Sequence, residues 1–503
     1  MNLGLGKKMS AVFIAILAPI MASAQNEQTP PITINLERAV EIALSENPTV
    51  KVADLEIKKK KYARKSAQSA LYPQIDLVGQ YTRAIKKQVM YMDSGGDGGG
   101  MFSDMFTPII DGAEATFKGI DNSYQLGTLY ENIAIAQQSA ASQSSGDGGI
   151  TMGRDNTWAG GVNVSWPIIV PTLWKSLELT SIDVELAVEK ARASKIDMVN
   201  SVRKTYYAVL LAKDSYNVLE QSYKNAELSY NDIKNKFDQG IVSEFDVIRA
   251  DVNMKNIKPN LIQAQNSYNL STLQLKALMG VDMDQEIVIE GSLLEYEQGL
   301  YQDVLALDTT LTNNSDLKQF DIQTDQLEKS LQIYKAQYYP VLSLSGNYMY
   351  MSMNNDFKFG DYRWNPYSNL EVSISIPLFD GFKKHNDIKQ TKVSIEQMKW
   401  QREDVVRNLK LAINNSFNNM TNYVEQVFST KDVVAQAKKG YEISQKLYDT
   451  GMGTLLELND AQLGLTQASL AFNQAIYNYL ASKADLDKTL GIEPEVKIND
   501  NNK

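Results

Sequence analysis

The stretch "YPQIDLVGQY" spans Tyr72–Tyr81, and "YPVLSLSGNY" spans Tyr339–Tyr348. Tyr, Pro, Gly and Tyr recur at the same places, and apolar and polar residues alternate in both. Because strand side chains alternate between faces, Ile75, Leu77 and Tyr81 fall opposite Asp76 and Gln80. Leu342, Leu344, Tyr348 and Tyr350 likewise oppose Ser343, Ser345 and Asn347. The same alternation places Val162, Val164 and Trp166 against Asn163 and Ser165, and Val372, Ile374 and Ile376 against Ser373 and Ser375. Four strands are predicted, at about 74–83, 158–168, 341–350 and 368–378. Each is about ten residues long, the length of a tilted membrane β-strand. Tyr81, Trp166, Tyr348 and Tyr350 suit interfacial aromatic girdles. Alternation alone fits an amphipathic sheet on a soluble core equally well.

The two quoted stretches belong to a longer duplication. "NPTVKVADLEI" (Asn47–Ile57) aligns with "NSDLKQFDIQT" (Asn314–Thr324), "KFDQG" ending at Gly240 with "LYDTG" ending at Gly451, and "LMGVD" around Gly280 with "TLGIE" around Gly491. The chain is two copies of one unit, the first carrying an insertion of roughly 57 residues. Each copy reads helix, strand, loop, strand, long helix, tight turn, helix. The division is a signal peptide over 1–24, an N-terminal extension over 25–35, a first repeat over 36–280 with a loop insertion at 84–157, a connecting segment over 281–310, a second repeat over 311–492 and a tail over 493–503.

Export is written at the N-terminus. Lys7 and Lys8 precede the apolar "AVFIAILAPIMA", and Ala22-Ser23-Ala24 supplies a small-residue cleavage site. Nothing in the mature chain approaches the ~20 apolar residues of a membrane helix. The net charge is −10, so there is no basic excess to neutralise nucleic-acid phosphates. With no cysteine, disulfides and thiolate metal sites are excluded. The single histidine, His385 in "KKHND", reads as a solvated helix residue. "KKKK" at Lys58–Lys61 reads as a solvated helix face. The Gly-rich "DSGGDGGG" (Asp93–Gly100) and "SQSSGDGG" (Ser142–Gly149) read as flexible ends of a surface loop. They match neither a phosphate-cradling loop nor an EF-hand. No catalytic cluster, cofactor site or metal cluster is expected.

The helices argue for an assembly. Tyr216, Leu219, Tyr223, Ala226, Tyr230, Ile233 and Phe237 are spaced three and four apart, a heptad seam. It resumes after each turn: Val247, Ala250, Met254, Ile257, Leu261, Ala264, Tyr268 in one copy, and Leu458, Ala461, Leu465, Ala468, Phe472, Ala475, Tyr479 in the other. Pro259 interrupts the first of these and should cost about 3 kcal/mol or kink the helix. The helix ending at Phe237 would be roughly 100 Å long, close to the summed lengths of Pro48–Leu71 and Phe245–Met279. Four strands cannot close a barrel, and open edges are not tolerated in lipid. Two chains would give a filled eight-stranded barrel; three would give twelve strands and an aqueous lumen, which the polar faces favour.

At this point the sequence resembles the TolC-like outer-membrane efflux family. The resemblance rests on "INLERAVEIALSENP" (Ile34–Pro48), "SISIPLFDGF" (Ser373–Phe382), "KFDQGIVSEFDVIRAD" (Lys236–Asp251) and "LYDTGMGTLLELNDAQ" (Leu447–Gln462). It implies a mainly α fold with a small transmembrane β part. Each protomer of a homotrimer would give four strands to a 12-stranded barrel, continuous with a long α-helical coiled-coil barrel through the periplasm. It further implies a passive duct of a tripartite efflux or type I secretion system. Its partners would be outer-membrane lipid, a periplasmic adaptor (membrane fusion protein) and an inner-membrane pump of RND or ABC type. An exported structural coiled-coil protein without channel activity is the competing reading. The residues single out no cargo among drug, metal ion, peptide and protein.

The helix turns carry the candidate functional residues. Gly240 and Gly451 suit the left-handed position that ends a helix, and Ser243 and Thr454 suit N-caps. Turn chemistry alone accounts for these four; the resemblance adds that the turns contact the adaptor. Asp246 lies six residues beyond Gly240, Glu457 six beyond Gly451, and Asp460 three further on the same helix face. If the Glu457–Asp460 face points inward, three chains would set six of these carboxylates around an axis, attracting cations and resisting closure. In the family, acids at the Glu457 and Asp460 positions line a periplasmic gate, and Tyr448 and Asp246 match positions that hold it shut. The family's better-known members carry an Arg where this chain has Gly453, and Arg249 is the candidate substitute. A solvated helix surface is the alternative for all these charges.

Overall fold

The computed structural model describes residues 32–90, 150–300 and 310–493. The signal peptide, the Gly-rich stretches of the insertion, part of the connecting segment and most of the tail lie outside the described residues. Two compact units result. One is helical, comprising the chain up to Ala63, Leu179–Glu328 and the chain from Gln390; the other, Arg64–Glu178 and Lys329–Lys389, holds the main sheet.

The elements repeat. In the first copy β1 (Ile32–Ile34) and α1 (Leu36–Glu46) lead into α2 (Pro48–Ser69), β2 (Gln74–Arg83), β3 (Gln88–Met90), β4 (Ile150–Met152), β5 (Asn156–Ile169), α3 (Pro171–Asp238) and α4 (Glu244–Met279). After β6 (Ile287–Ile289) the second copy runs α5 (Ser315–Ala336), β7 (Val341–Asn354), β8 (Asn365–Ser375), α6 (Lys383–Asp449) and α7 (Leu455–Leu490). Corresponding helices match closely: 22 residues in both α2 and α5, 68 in α3 against 67 in α6, and 36 in both α4 and α7.

Several boundaries differ from the sequence reading. β5 and β7 run to 14 residues each, because their cross-strand pairing continues as far as Asn156 and Asn354. β8 begins at Asn365 and ends at Ser375, three residues early at both ends; Val341↔Ser375 is its last pair before Pro377, which has no N–H to offer a ladder. The insertion does not begin as loop: β3 and β4 pair antiparallel. Helix α4 runs unbroken through Pro259. Pro259 and Lys255, one turn before it, are exposed, so water can satisfy the carbonyl that loses its donor.

The heptad seams are the covered faces. Ala226, Ile233, Ala250, Ala264, Leu458, Ala468, Phe472, Ala475 and Tyr479 are buried, whereas Phe237, the last seam residue of α3, is exposed. The main core of the helical unit gathers Tyr206, Tyr207 and Leu210 of α3, Leu275 and Met279 of α4, Met420 and Val424 of α6, and Ile476 and Tyr479 of α7. Two asparagines make the same joint in each copy. Asn47 donates to the Leu278 carbonyl (2.8 Å) and accepts from Thr49 N–H (2.7 Å). Asn314 donates to the Thr489 carbonyl (2.7 Å) and accepts from Leu317 N–H (3.0 Å). One side chain thus satisfies the start of the short helix and the end of the returning one. Removing either should cost about 1–3 kcal/mol, because its buried partners would go unpaired.

Candidate functional site

The main sheet is antiparallel, in the order β2-β5-β7-β8. Its register carries the sequence alternation across all four strands. One row pairs Leu77↔Val162↔Tyr348↔Ser368, and another on the same face pairs Trp166↔Leu344↔Val372. The opposite face reads Asp76↔Asn163↔Asn347↔Asn369 and Gln74↔Ser165↔Ser345↔Glu371. The apolar face is bare: Leu77 is 86% exposed and Leu370 76%. The outer edges, β2 and β8, have no further strand neighbour among the described residues.

The two helix turns come together in a small apolar cluster. Ile233 of α3, Ala250 of α4 and Leu455 of α7 are buried, flanked by Tyr230, Val242, Val247 and Tyr448. Each turn is closed by one glycine in left-handed geometry, Gly240 at φ 76° and Gly451 at φ 74°. The N–H of Ile241 reaches back to the Lys236 carbonyl (2.9 Å), and that of Met452 to the Leu447 carbonyl (2.9 Å). Ser243 and Thr454 are N-caps.

Both acids nearest the turns are occupied in those caps. Asp246 accepts from the Ser243 N–H (3.3 Å) and hydroxyl (2.7 Å), while its own N–H donates to Ser243 Oγ (3.3 Å). Glu457 accepts from the Thr454 N–H (2.9 Å) and donates its N–H to Thr454 Oγ1 (3.3 Å). The donated N–H, then the Thr454 hydroxyl, hold the Glu457 carboxyl below its ordinary range. Asp460 is exposed, with no side-chain hydrogen bond or ion pair among the described residues. Arg249 lies over the Phe245 ring, 5.2 Å from its centroid.

Tyr448 is half-buried, and burial pushes its phenol upward, with Asp232, Asp246 and Asp449 adding to the shift and Lys236 opposing it. The Lys236 ammonium stands 4.9 Å from the Tyr448 centroid and pairs with Asp232 (2.7 Å). The sequence reading missed this pair. Its signal was there as an acid and a lysine four apart in "NDIKNKF". Gly453 is crowded for another reason. A Cβ there would stand 2.9 Å from Leu447 Cβ and 3.2 Å from the Tyr448 nitrogen.

Among the described residues no helix is long and apolar enough to cross a membrane, and no group of acids and histidine could hold a metal.

Comparison with known proteins agrees with this geometry. Outer membrane protein TolC of Vibrio cholerae is 20% identical over 349 residues, covering 68% of this chain and 78% of the relative. Toxin and drug export protein A of Aggregatibacter actinomycetemcomitans is 22% identical over 364 residues, covering 69% and 75%. The Campylobacter jejuni CmeC outer membrane channel has the same fold, with a TM-score of 0.64 at 18% identity over 98% of this chain and 94% of that one. The outer membrane efflux protein family matches residues 121–281 and 306–492. A duplicated helical chain with a bare-faced, open-edged sheet therefore belongs to the outer membrane efflux protein family, a TolC-like protein of the outer membrane.

Proposed function

We propose that three copies of this chain close their four-stranded sheets into one 12-stranded barrel, and that this trimer is the passive outer-membrane duct of a tripartite efflux or type I secretion system. The observation that carries the reading is the sheet itself. Its apolar face is continuous across four strands, its polar face is equally continuous, and both edges are open among the described residues. Lipid demands that every edge be paired, so closure has to come from other copies. From Leu342 to Tyr350 the apolar rows span roughly 26 Å along the strand at ~3.3 Å per residue. At the ~40° tilt of barrel strands that is about 20 Å of membrane height, most of the ~25 Å apolar band. With the polar rows inward, the lumen is aqueous and lined by Asn and Ser.

In this reading the helix turns lie at the periplasmic end. They meet a periplasmic adaptor through Gly240, Ser243, Gly451 and Thr454, and the pump behind it supplies the energy. Glu457 and Asp460 line the constriction, with Tyr448, Asp246 and Arg249 in the supporting wall. Two carboxylates about 8 Å apart repel by roughly 0.5 kcal/mol in water, and more where water is scarce. A ring of six would favour cations.

The experiment is planar-bilayer conductance of the detergent-extracted protein, with a reversal potential in a salt gradient. Small, cation-selective steps are expected. Protein that stays soluble without detergent and carries no current would sink the barrel.

A further inference from the structure

The apolar face of the sheet changes character at the end away from the helices. The last apolar row there holds Tyr81 and Trp158, whose rings stack at 4.2 Å. The β7–β8 connection folds onto them: Phe359 meets Trp158 at 5.1 Å, and Phe357 meets Tyr81 at 6.4 Å. One row further, on the same face, stands Arg83, paired with Asn156. Hydrogen bonds knit this rim together. Ala84 N–H donates to the Asp155 carbonyl (2.8 Å), Asp155 N–H to Asn355 Oδ1 (3.0 Å), and Asn156 to the Asp356 carbonyl (3.3 Å).

Among the described residues the rim is basic. Across 83–90, 150–156 and 355–364 there are six cations against three carboxylates, while the whole chain has a net charge of −10. Lys87 pairs with Asp155 (2.8 Å). Arg83, Lys86, Arg154, Lys358 and Arg363 are exposed and have no side-chain hydrogen bond or ion pair among the described residues. At the opposite end of the sheet Lys383 pairs with Asp387 (2.8 Å) and Lys384 with Asp380 (4.0 Å).

We propose that this aromatic and basic rim binds the phosphates of anionic glycolipid headgroups in the outer leaflet of the outer membrane. The inference rests on the barrel reading, which puts the far end of the sheet at the outer leaflet. Acyl chains lie against the apolar rows, the Tyr81–Trp158 layer takes the interfacial level, and Arg83 and Lys358 reach the phosphates just above it. Arginine suits the task through its planar fork of donors. A neutral or zwitterionic surface gives free cations no partner, and a free phosphate ion would have no use for the stacked rings below.

The test uses the full-length, detergent-purified protein and bisphosphorylated lipid A, its dephosphorylated counterpart and inorganic phosphate as probes. Binding of the phosphorylated glycolipid should saturate. It should weaken about tenfold or more in Arg83→Gln/Lys358→Gln/Arg363→Gln and survive in Arg83→Lys/Arg363→Lys. Equal binding by wild type and the triple variant overturns the proposal, as does equal binding of the phosphorylated and dephosphorylated lipids. Competition by inorganic phosphate at the lipid's own concentration would assign the site to a free anion and overturn the lipid. Conductance of the same proteins separates the two levels. Current from both with identical lipid binding removes the rim alone; no current from wild type removes the barrel beneath it.

Discussion

The two helix turns share a scaffold and differ in what they present. Gly240 and Gly451 end their helices in the same geometry, and Ser243–Asp246 and Thr454–Glu457 start the returning helices with the same reciprocal cap. Three residues beyond the capping acid, the first turn has Arg249 and the second Asp460. Arg249 stacks on Phe245, where the second copy has Leu456. Two residues beyond the glycine, Val242 faces Gly453. In the second turn alone, the Leu447 carbonyl takes two N–H groups, from Met452 and Gly453, both at 2.9 Å. Duplication kept the backbone solution and left the charges free to diverge. At the two matched positions the first turn carries an acid and a base, Asp246 and Arg249, and the second two acids, Glu457 and Asp460.

The sharpest way to break this comparison is to exchange the charges. Replacing Glu457 and Asp460 by Ala should strip most of the cation preference from the reversal potential and blunt block by multivalent cations. The matching change at Asp246 and Arg249 removes one charge of each sign and should leave selectivity nearly unchanged. Equal effects from the two turns would take Glu457 and Asp460 out of the lumen.

Next comes the tight turn. Gly453→Val gives the second turn the residue of the first, but its Cβ must enter space 2.9 Å from Leu447 Cβ. The expected cost is about 1–3 kcal/mol, as for other overpacked sites, read as a lower midpoint in denaturant. The reverse change, Val242→Gly, should cost about 0.5–1 kcal/mol from chain entropy, plus the packing that Val242 gives the turn cluster. If Gly453→Val is silent, the second turn is no tighter than the first, and an arginine there would be tolerated.

Much of this was legible because it is periodic or repeated. The alternation in "YPQIDLVGQY" and "YPVLSLSGNY" gave the two faces of the sheet, and heptad spacing gave the buried seams. Ser243 and Thr454 announced their caps by position. The roles of the acids were harder to read. A cap and a lumen both ask for a carboxylate at Asp246 and Glu457, so the letters cannot separate them; only the hydrogen bonds reveal that the cap uses both. The Lys236–Tyr448 contact joins residues far apart in the chain, beyond any local period. The crowding at Gly453 depends on a backbone path that its neighbours set. Strand ends moved because pairing, not alternation, decides where a ladder stops.

The smallest effect concerns the caps. Ser243→Ala and Thr454→Ala should each cost about 1 kcal/mol, the usual loss for a capping hydroxyl. Glu457 adds a pH dependence. Its folded carboxyl titrates below the ordinary value of 4.5 because it accepts the Thr454 N–H and hydroxyl bonds. A depressed folded value means the unfolded chain takes up the proton first. The cap's contribution is therefore complete above about pH 4.5 and fades as pH falls through the folded value. Glu457→Gln, which cannot titrate, should flatten that part of the stability profile; Thr454→Ala, which keeps the backbone N–H that lowers the carboxyl most, should flatten it only in part. The expected result of a denaturation series is a wild-type excess over Glu457→Gln that is full at pH 7 and shrinks only below about pH 4.5, as the carboxyl takes up its proton. Parallel profiles at every pH would show that the carboxylate contributes nothing to the cap, leaving it free for the lumen.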